Sequence, residues 1–586
     1  MKTNLLPGRR FPVVLALLGV LAAVAALGVT ASAAGAAAAK PTTFKAVGQS
    51  TVSITKVNNL HQLPSGITAS DAFTACQFDT PLLPTGPCSL TPPPDDAAPL
   101  VATHFPSTSA SQIRLSGGPA LGSNFDGISD VSQRVYTGHH YTPPDQGLCV
   151  GPAGPLEHAG VPITVPGTQT VIVEMTNNGW GVFSTSGTSL FADGMPDLFS
   201  DANSSGDPQC RYDKTSRTFF FTEIGALNNM YYTTDLVVMN AGGYTAYNVD
   251  TASLAGVPGF CFPDFPHQGA DTHALYITIN EFCGDNEEVP GTGIFAIDKA
   301  KLVAHGNPNA NAFALGANYF GFEPASEPST TEYLVASEQN FASAKMLDVA
   351  TVTGDNKIAK GGTATLSVTS IPSEVYSEPV DATSTGDDTT CVFNFGTWCS
   401  VPEATLNSVD DRVEQVQLSG GMLYTSLSTS MKIGTDPTVV DGAAWFQIDP
   451  TKMKVAHQGY VGAAKTFLLM PSIAQTKVDS MGKAGHLVMD FSMTSKTMNP
   501  STGYVTSINQ GHTFSAIRTT GHGTGPHVSF STFEPGYDRR RWGDYSQLAI
   551  DPVTGAAWMA DEYVPGGDAG ADQVDNWGTR VWQVSK

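Results

Sequence analysis

Pairs of acidic residues recur along this chain at a nearly constant spacing. Carboxylates held in pairs suit three tasks. They bind Ca²⁺ through hard oxygen ligands, they supply the two carboxyl groups of glycoside hydrolysis, or they stabilise turns and pair with arginines. All three tasks stay open, and the recurrence favours a structural or binding role over catalysis. The separations are 16, 17 and 18 residues for Asp207 and Glu223, Asp264 and Glu281, and Asp544 and Glu562.

The richest single segment runs from Tyr537 to Ser546 and holds three consecutive arginines. Arginine binds carboxylates through forked hydrogen bonds, and aromatic rings stack on sugar faces. Arg541, Trp542 and Tyr545 are therefore candidate carbohydrate ligands, and an inter-blade salt bridge with an aromatic plug is the alternative. If the protein is an enzyme, the expected catalytic residues are Asp544, Glu562 and Arg541. The expected ligand-binding residues are Asp145, Asp207, Glu223, Asp264, Glu281, Trp542 and Tyr545.

Several histidines lie in turn-like sequence contexts, among them His267, His273 and His527. Their spacings match no HExxH-type ligand pattern, so surface loops are their expected place. The chain has no GxSxG nucleophile elbow and no Walker A loop. The sequence therefore predicts neither a zinc site, nor a serine nucleophile in that motif, nor a phosphate-binding loop of that type.

The acidic pairs are positioned by hairpins. Each Asp precedes a short apolar strand, an Asp-led turn and a second apolar strand that ends at the Glu, as from Asp544 through Asp551 to Glu562. In an antiparallel hairpin the start of the first strand and the end of the second lie at the same end. We therefore expect each Asp and its Glu to lie side by side, and the acids of all hairpins to crowd one face of the fold.

The hairpin recurs along the whole body of the chain, with starts near residues 145, 207, 264, 332, 411, 471 and 544. A spacing of roughly 55 to 80 residues is typical of a β-propeller with loop insertions. The fold class is predicted to be all-β, a β-propeller of seven blades with an irregular N-terminal extension. Six or eight blades and a β-sandwich are the alternatives. The strand at 579–584 is expected to close the ring.

Composition supports this architecture and limits the partners. The 586 residues include 59 Gly and 39 Pro, and only 14% are charged, which argues against long helices. The first 39 residues carry three cations and no acid, so their removal changes the net charge from −23 to −26. An acidic body disfavours binding to nucleic acid or to an anionic membrane.

The N-terminus has the layout of a secretory signal. Lys2, Arg9 and Arg10 precede an apolar run that ends in small residues near Ala33. An uncleaved anchor is the alternative, because the run approaches membrane-spanning length. We assign 1–39 to a signal peptide, 40–135 to a Pro/Ser/Thr-rich extension and 136–586 to the propeller. The mature protein is expected to be secreted, monomeric and free of membrane contact.

Eight cysteines follow the leader, and none forms a CxxC pair. An even number in an exported chain predicts disulfides. The hairpin geometry supports the pair Cys261–Cys283 independently, because it places these residues side by side. The other pairings suggested by proximity and elimination are Cys76–Cys88, Cys391–Cys399 and Cys149–Cys210.

Several short motifs stand out along the body of the chain. They are Pro143-Pro144-Asp145-Gln146, Gly206-Asp207-Pro208, Asp264-Phe265-Pro266-His267 with Asn280-Glu281-Phe282, and Arg541-Trp542-Gly543-Asp544-Tyr545. This set resembles a family of exported bacterial β-propeller proteins. The resemblance spans about 140 to 586 and implies a propeller that is sialidase-like in shape. It carries no established catalytic residues, and the turn at 551–558 lacks the spacing of a sialidase Asp-box.

The expected function is binding of an extracellular ligand, most plausibly a glycan, on an acidic and aromatic face of the ring. The alternative is a glycoside hydrolase or polysaccharide lyase that uses the same face. No cofactor is certain, and calcium is the one that a ring of carboxylates would bind.

Overall fold

The computed structural model shows a seven-bladed β-propeller, as the repeat predicts. It describes residues 41–46, 53–57, 107–108, 119–138, 140–158, 161–163, 169–200, 206–227, 231–251, 261–283, 288–326, 329–338, 343–385, 388–394, 397–401, 405–477, 485–508, 513–529, 539–566 and 575–585. The leader at 1–39 and the Cys76–Cys88 pair lie outside these residues. No helix among them is long and apolar enough to cross a membrane.

Each blade is a four-stranded antiparallel sheet, with its first strand lining a central channel. Blade 1 consists of Gly147–Pro152, Thr170–Thr176, Gly179–Ser184 and Ser189–Gly194. Blade 2 consists of Gly206–Asp213, Thr218–Leu227, Tyr231–Asn240 and Gly243–Val249. Blade 3 consists of Cys261–Ala270, Ala274–Cys283, Glu288–Asp298 and Ala310–Ala314, and blade 4 consists of Glu323–Pro324, Glu332–Ser337, Ala344–Thr353 and Thr365–Tyr376.

The remaining three blades follow the same order. Blade 5 consists of Val413–Ser419, Met422–Ile433, Val439–Asp449 and Lys454–Val461. Blade 6 consists of Phe467–Gln475, Leu487–Ser495, Met498–Thr506 and Arg518–Gly521. Blade 7 consists of Gln547–Ile550, Ala557–Tyr563, Gly578–Val584 and Leu121–Ser129. The first strand of each blade contacts that of the next, and blade 7 contacts blade 1, so the seven sheets form a complete ring.

The ring is closed by a strand from the N-terminal side of the chain. The outermost strand of blade 7 is Leu121–Ser129, which pairs antiparallel with Gly578–Val584. The C-terminal strand thus closes the ring, as expected, and its partner precedes residue 136, where the sequence analysis begins the propeller. The main-chain N–H of Ile128 donates to Glu174 Oε2 at 2.9 Å, which ties this strand to blade 1.

Further short elements decorate the propeller. Two N-terminal segments, Thr42–Lys45 and Ile54–Lys56, add fifth strands to blades 4 and 2. The other elements are the helices Asp130–Thr137, Met195–Phe199 and Lys299–Val303, the 3₁₀ helix Asp355–Lys360, and the short strands Ser107–Thr108, Glu157–His158, Val161–Pro162, Ala382–Thr383, Asp388–Asn394, Thr397–Val401, Thr405–Leu406 and Arg539–Arg540.

The hydrophobic core is divided among the interfaces between blades. Alternate residues of a strand face opposite sides of its sheet, and in blade 2 Phe219 and Phe221 pack towards blade 1 while Phe220 packs towards blade 3. A blade is covered on both sides, which explains why second strands such as Ala274–Cys283 are buried along their whole length. A comparable cluster lies between every pair of successive blades.

Two of the expected disulfides are present. Cys149–Cys210 joins the inner strands of blades 1 and 2, and Cys261–Cys283 joins the first two strands of blade 3. The backbones of Cys391 and Cys399 lie opposite each other in a two-stranded ribbon.

Candidate functional site

Four of the expected aspartates gather at one end of the central channel, which we call the acidic mouth. They stand where the chain enters the inner strands of blades 7, 1, 2 and 3, which are consecutive in the ring. The charge of Asp544 contributes to raising the pKa values of the other three. The members are Asp544, Asp145, Asp207 and Asp264.

The backbone at this end of the channel is unusual in every blade. At least one residue near the entry to each inner strand has positive φ, a conformation that costs energy for residues other than glycine. Such strain often accumulates at functional sites. The residues and their φ angles are Asp145 (44°), Asp207 (52°), Phe265 (56°), Gly321 (62°), Val409 (55°), Met470 (47°) and Gly543 (107°).

The mouth aspartates also hold neighbouring blades together. Asp145 Oδ1 accepts the main-chain N–H of Asp544 at 2.8 Å, from blade 1 to blade 7. Asp207 Oδ2 accepts the N–H of Phe265 at 3.1 Å, from blade 2 to blade 3. Asp145 and Asp207 therefore each make a hydrogen bond that joins two blades. Such bonds are what a structural role of the repeated acids would require.

Burial and mutual repulsion raise the pKa values of these groups. Burial is the larger cause for Asp145 and Asp207, whose pKa values lie well above the ordinary range, and neighbouring aspartates add to it. Burial, followed by the charge of Asp544, raises the pKa of Asp264 to about 7, although Arg412 and Arg541 oppose the shift. Asp207 and Asp264 are the partly exposed members of the mouth.

Two arginines border the acids, and each is engaged with an aspartate. Arg541 donates to Asp544 within the same turn. Arg412 forms a two-pronged ion pair with Asp410, with Nη2 2.7 Å from Oδ2, and its guanidinium lies 4.6 Å from the ring centre of Phe265. Neither Asp410 nor the place of Arg412 at the mouth was predicted from the sequence, although the two residues are only two positions apart.

Glu562, one of the three predicted glutamates, borders the mouth. A Cβ placed on Gly543 would lie 3.3 Å from Glu562 Oε2 and 3.6 Å from Asp145 Oδ1, so both carboxyl groups border the same space. Glu223 and Glu281 are buried, and the sheet register places Glu223 across from Asp207 and Glu281 next to the partner of Asp264.

Register shifts set these positions. Bulges between Gly206 and Gln209, and between Asp264 and His267, displace the first strand relative to the second. A bulge adds unpaired residues to one strand and redirects its side chains. The backbones of each Asp and its Glu nevertheless stay within one register position of each other in blades 2 and 3.

The two aromatic residues expected to stack on sugar are enclosed by protein. Trp542 and Tyr545 are each 2% exposed. Trp542 packs edge-on against His527 with ring centres 4.8 Å apart, and Tyr545 packs edge-on against His267 at 4.9 Å. Neither ring has a face exposed to a ligand in this structure. Both rings fill space inside the protein, as in the alternative of an aromatic plug. The partly exposed aromatic ring beside Arg412 is Phe320.

The expectation of surface histidines is wrong for the two histidines of this region. His267 and His527 are 3% and 2% exposed. His267 Nδ1 lies 2.6 Å from Glu323 Oε1, and burial lowers the pKa of His267 and raises that of Glu323. Burial also lowers the pKa of His527 to about 3. A neutral imidazole next to a protonated carboxyl group is the pairing that these directions favour.

Below the mouth, glutamines obstruct the channel. Gln415 of blade 5 bonds the N–H and the carbonyl of Leu548 in blade 7 at 3.0 and 2.7 Å, and Gln547 of blade 7 donates to Gln209 of blade 2. The remaining cavity measures about 80 Å³. Pockets for small molecules usually exceed ~300 Å³, so this cavity is too small for a sugar residue. A larger cavity of about 410 Å³ lies among the turns at the other end of the inner hairpins, beside Lys214, Gly420 and Asp551.

Calcium does not fit the donors as they are arranged. Within the described part of the chain, no group of three or more His, Cys, Asp or Glu side chains is placed to hold a metal ion. Calcium prefers six to eight oxygen ligands, whereas the mouth carboxyl groups bond to backbone amides, to an arginine and to one another. Calcium therefore stays a prediction from sequence.

The fold and the mouth define a seven-bladed β-propeller with one acidic channel end. No family model and no curated protein matches the chain. Similar solved structures include Trypanosoma rangeli sialidase (9% identity, TM-score 0.31, covering 64% of this chain and 54% of the sialidase). Others are Penicillium chrysogenum α-L-arabinanase (8%, 0.32, 79% and 98%) and polysaccharide lyase Uly1 (9%, 0.34, 80% and 97%). The matched region spans about half of the sialidase, and similarities of this level assign no activity.

Proposed function

We propose that this protein is exported and binds an extracellular glycan at the acidic mouth. The observation that supports this most directly is the delivery of Asp544, Asp145, Asp207 and Asp264 by four consecutive blades to one end of the channel. A ring built only for stability has no need to crowd buried like charges, because such crowding costs free energy.

The chemistry of the rim suits sugars. Carboxylates accept hydrogen bonds from hydroxyl groups, and the partly exposed ring of Phe320 offers an apolar face beside Arg412. The cavity directly below the mouth is too small for a sugar residue, so a ligand held at the mouth would lie across it as an extended chain. The acidity of the body disfavours nucleic acid.

Export is supported by two independent features. The first 39 residues have the order of a secretory signal, and the structure contains two disulfides, which persist in oxidising compartments. We take the mature protein to be an extracellular monomer.

One observation favours a second candidate, a glycan-cleaving enzyme that uses the same mouth. Asp207 and Asp264 hydrogen-bond to each other, and Asp264 has a pKa of about 7. A carboxyl group that keeps its proton near neutral pH can act as a general acid. The expected catalytic set of Asp544, Glu562 and Arg541 lies next to this pair, but Glu562 is 1% exposed and Arg541 is bound to Asp544.

A polysaccharide panel distinguishes the two candidates. Retention on immobilised glycans and release of reducing ends are scored separately, with EDTA and with added calcium. We expect retention of at least one glycan without release of reducing ends. Asp264→Asn should weaken that retention by about tenfold or more, which corresponds to ~1.4 kcal/mol.

The matched control is Asp449→Asn, the same chemical change at a turn of blade 5 away from the mouth. It should leave retention unchanged. Release of reducing ends that Asp544→Asn abolishes would favour the enzyme, and retention by no glycan at all would overturn the proposed function.

A further inference from the structure

Carboxyl groups at the mouth outnumber its arginines. Arg541 is bound to Asp544 and Arg412 to Asp410. Four more carboxyl groups share the same end of the channel without a cation of their own among the described residues. They are Asp145, Asp207, Asp264 and Glu562.

A second observation shows that a hydrogen-bond donor is missing. Glu562 is 1% exposed, and no described residue donates a hydrogen bond to either of its carboxyl oxygens. Its Oε2 faces the space above Gly543, which it shares with Asp145 Oδ1. A buried carboxyl group without a donor is costly, so a positively charged donor, which the described residues do not supply, would stabilise Glu562.

Access to these groups is through the partly exposed pair. Asp207 and Asp264 are the partly exposed carboxyl groups of the mouth, whereas Asp145 and Glu562 are buried. A cation at Asp207 and Asp264 would therefore meet two carboxyl acceptors and would favour the charged forms of both.

We propose that the glycan bound at the mouth carries free ammonium groups, as in a polymer of amino sugars that are not N-acetylated. This inference rests on the proposed function and narrows its ligand class. An ammonium group brings a unit positive charge and up to three N–H donors, which match acceptors on separate blades. A metal ion would bring the charge alone and would need the converging oxygens that the described residues do not offer.

The experiment compares two hexasaccharides with the same backbone, a glucosamine hexamer and its fully N-acetylated counterpart, by titration calorimetry at about pH 6. We expect the glucosamine hexamer to bind at least about tenfold more tightly. Because the interaction is between charges at a partly exposed site, added NaCl should weaken it. Asp207→Asn and Asp264→Asn should each remove most of the preference, and Asp449→Asn should keep it.

A second measurement protects the result against misfolded variants. Binding of the free amine should release protons from the mouth of the wild-type protein. That release is measured by repeating the titration in buffers of different ionisation enthalpy. The N-acetylated hexamer should release none.

A titration with calcium tests the competing cation. If calcium binds tightly at the mouth and the glucosamine hexamer does not, the ammonium proposal is overturned.

The failures of the two proposals are distinguishable. Equal or tighter binding of the N-acetylated hexamer, still lost in Asp264→Asn, overturns the ammonium proposal and leaves glycan binding standing. Binding of neither hexamer, together with retention of no glycan on the panel, overturns both.

Discussion

Aspartates stand at both ends of the inner hairpins, and the two ends use them differently. At the far end, Asp213, Asp271 and Asp551 begin the turns between the first and second strands. Asp551, for example, accepts the N–H of Val553 at 2.8 Å and the hydroxyl of Thr554 at 2.6 Å. At the mouth, by contrast, the aspartates bond to residues of neighbouring blades and crowd one another.

The difference appears most clearly in the pKa directions of Asp213 and Asp264. Burial would raise the pKa of Asp213, but Lys299, 3.0 Å away, and the hydrogen bonds of the turn outweigh it, so that pKa is lowered. Burial and Asp544 raise the pKa of Asp264 to about 7. The same residue type in the same repeat is thus stabilised as a charge at one end and disfavoured as a charge at the other.

The largest expected effect is on the pH dependence of stability. Asp264 and Glu174 have folded pKa values of about 7 against ordinary values of 3.8 and 4.5. Groups with raised pKa values contribute stability that is complete below the ordinary value and is lost as pH rises through the folded value. We expect the free energy of unfolding to be at least about 2 kcal/mol higher near pH 5 than near pH 8. Urea titrations across this range test it, and a flat profile would contradict the raised values.

A smaller effect should follow from removing a turn aspartate. Asp551→Ala deletes acceptors for two main-chain N–H groups and one hydroxyl. We expect a loss of about 1–2 kcal/mol in unfolding free energy with no change in glycan retention. Loss of retention in a folded Asp551→Ala protein would remove the distinction between the two ends.

Neutralising a mouth aspartate should have the opposite sign. Asp264→Asn keeps a side chain that can donate to Asp207 and removes one of the crowded charges. Near pH 8 we expect a gain of the order of 1 kcal/mol and a shallower pH profile. A destabilised variant would show that Asp264 is needed as a charge for structure alone.

The smallest effect is expected at Asp449. Asp449→Asn keeps the acceptor for the N–H and the hydroxyl of Thr451 and loses only an ion pair to Lys452, whose side chain is 66% exposed. Exposed ion pairs contribute little. The thermal midpoint should be unchanged, and a clear drop would mean that charge matters at the turns as well.

Much of the fold could be predicted from the sequence because the repeat is local. Each hairpin carries its own Asp, turn and apolar strands, so the starts near 207, 264 and 544 fall at blades 2, 3 and 7. The position of the mouth aspartates follows from the same repeat. The strand Leu121–Ser129 could not be predicted, because it pairs with residues about 450 positions away and has no copy in the repeat.

The site was predicted less completely, for physical reasons that lie in the backbone. The backbone has positive φ at Asp207 and Phe265, and bulges lie beside both residues. These features redirect the side chains, and they cannot be predicted from residue type. Burial of Trp542 and His267 depends on packing between blades. The ion pair between Arg412 and Asp410 could have been predicted, because two residues that are two positions apart can lie in the same turn.

The closing strand also determines when the protein can finish folding. Leu121–Ser129 is synthesised early, yet its partner Gly578–Val584 emerges some 450 residues later. Until then blade 7 lacks two of its four strands, and blades 1 and 6 each have an uncovered face. Export of such a chain in an unfolded state is therefore compatible with its topology, because the native ring is unreachable while residue 584 is still on the ribosome.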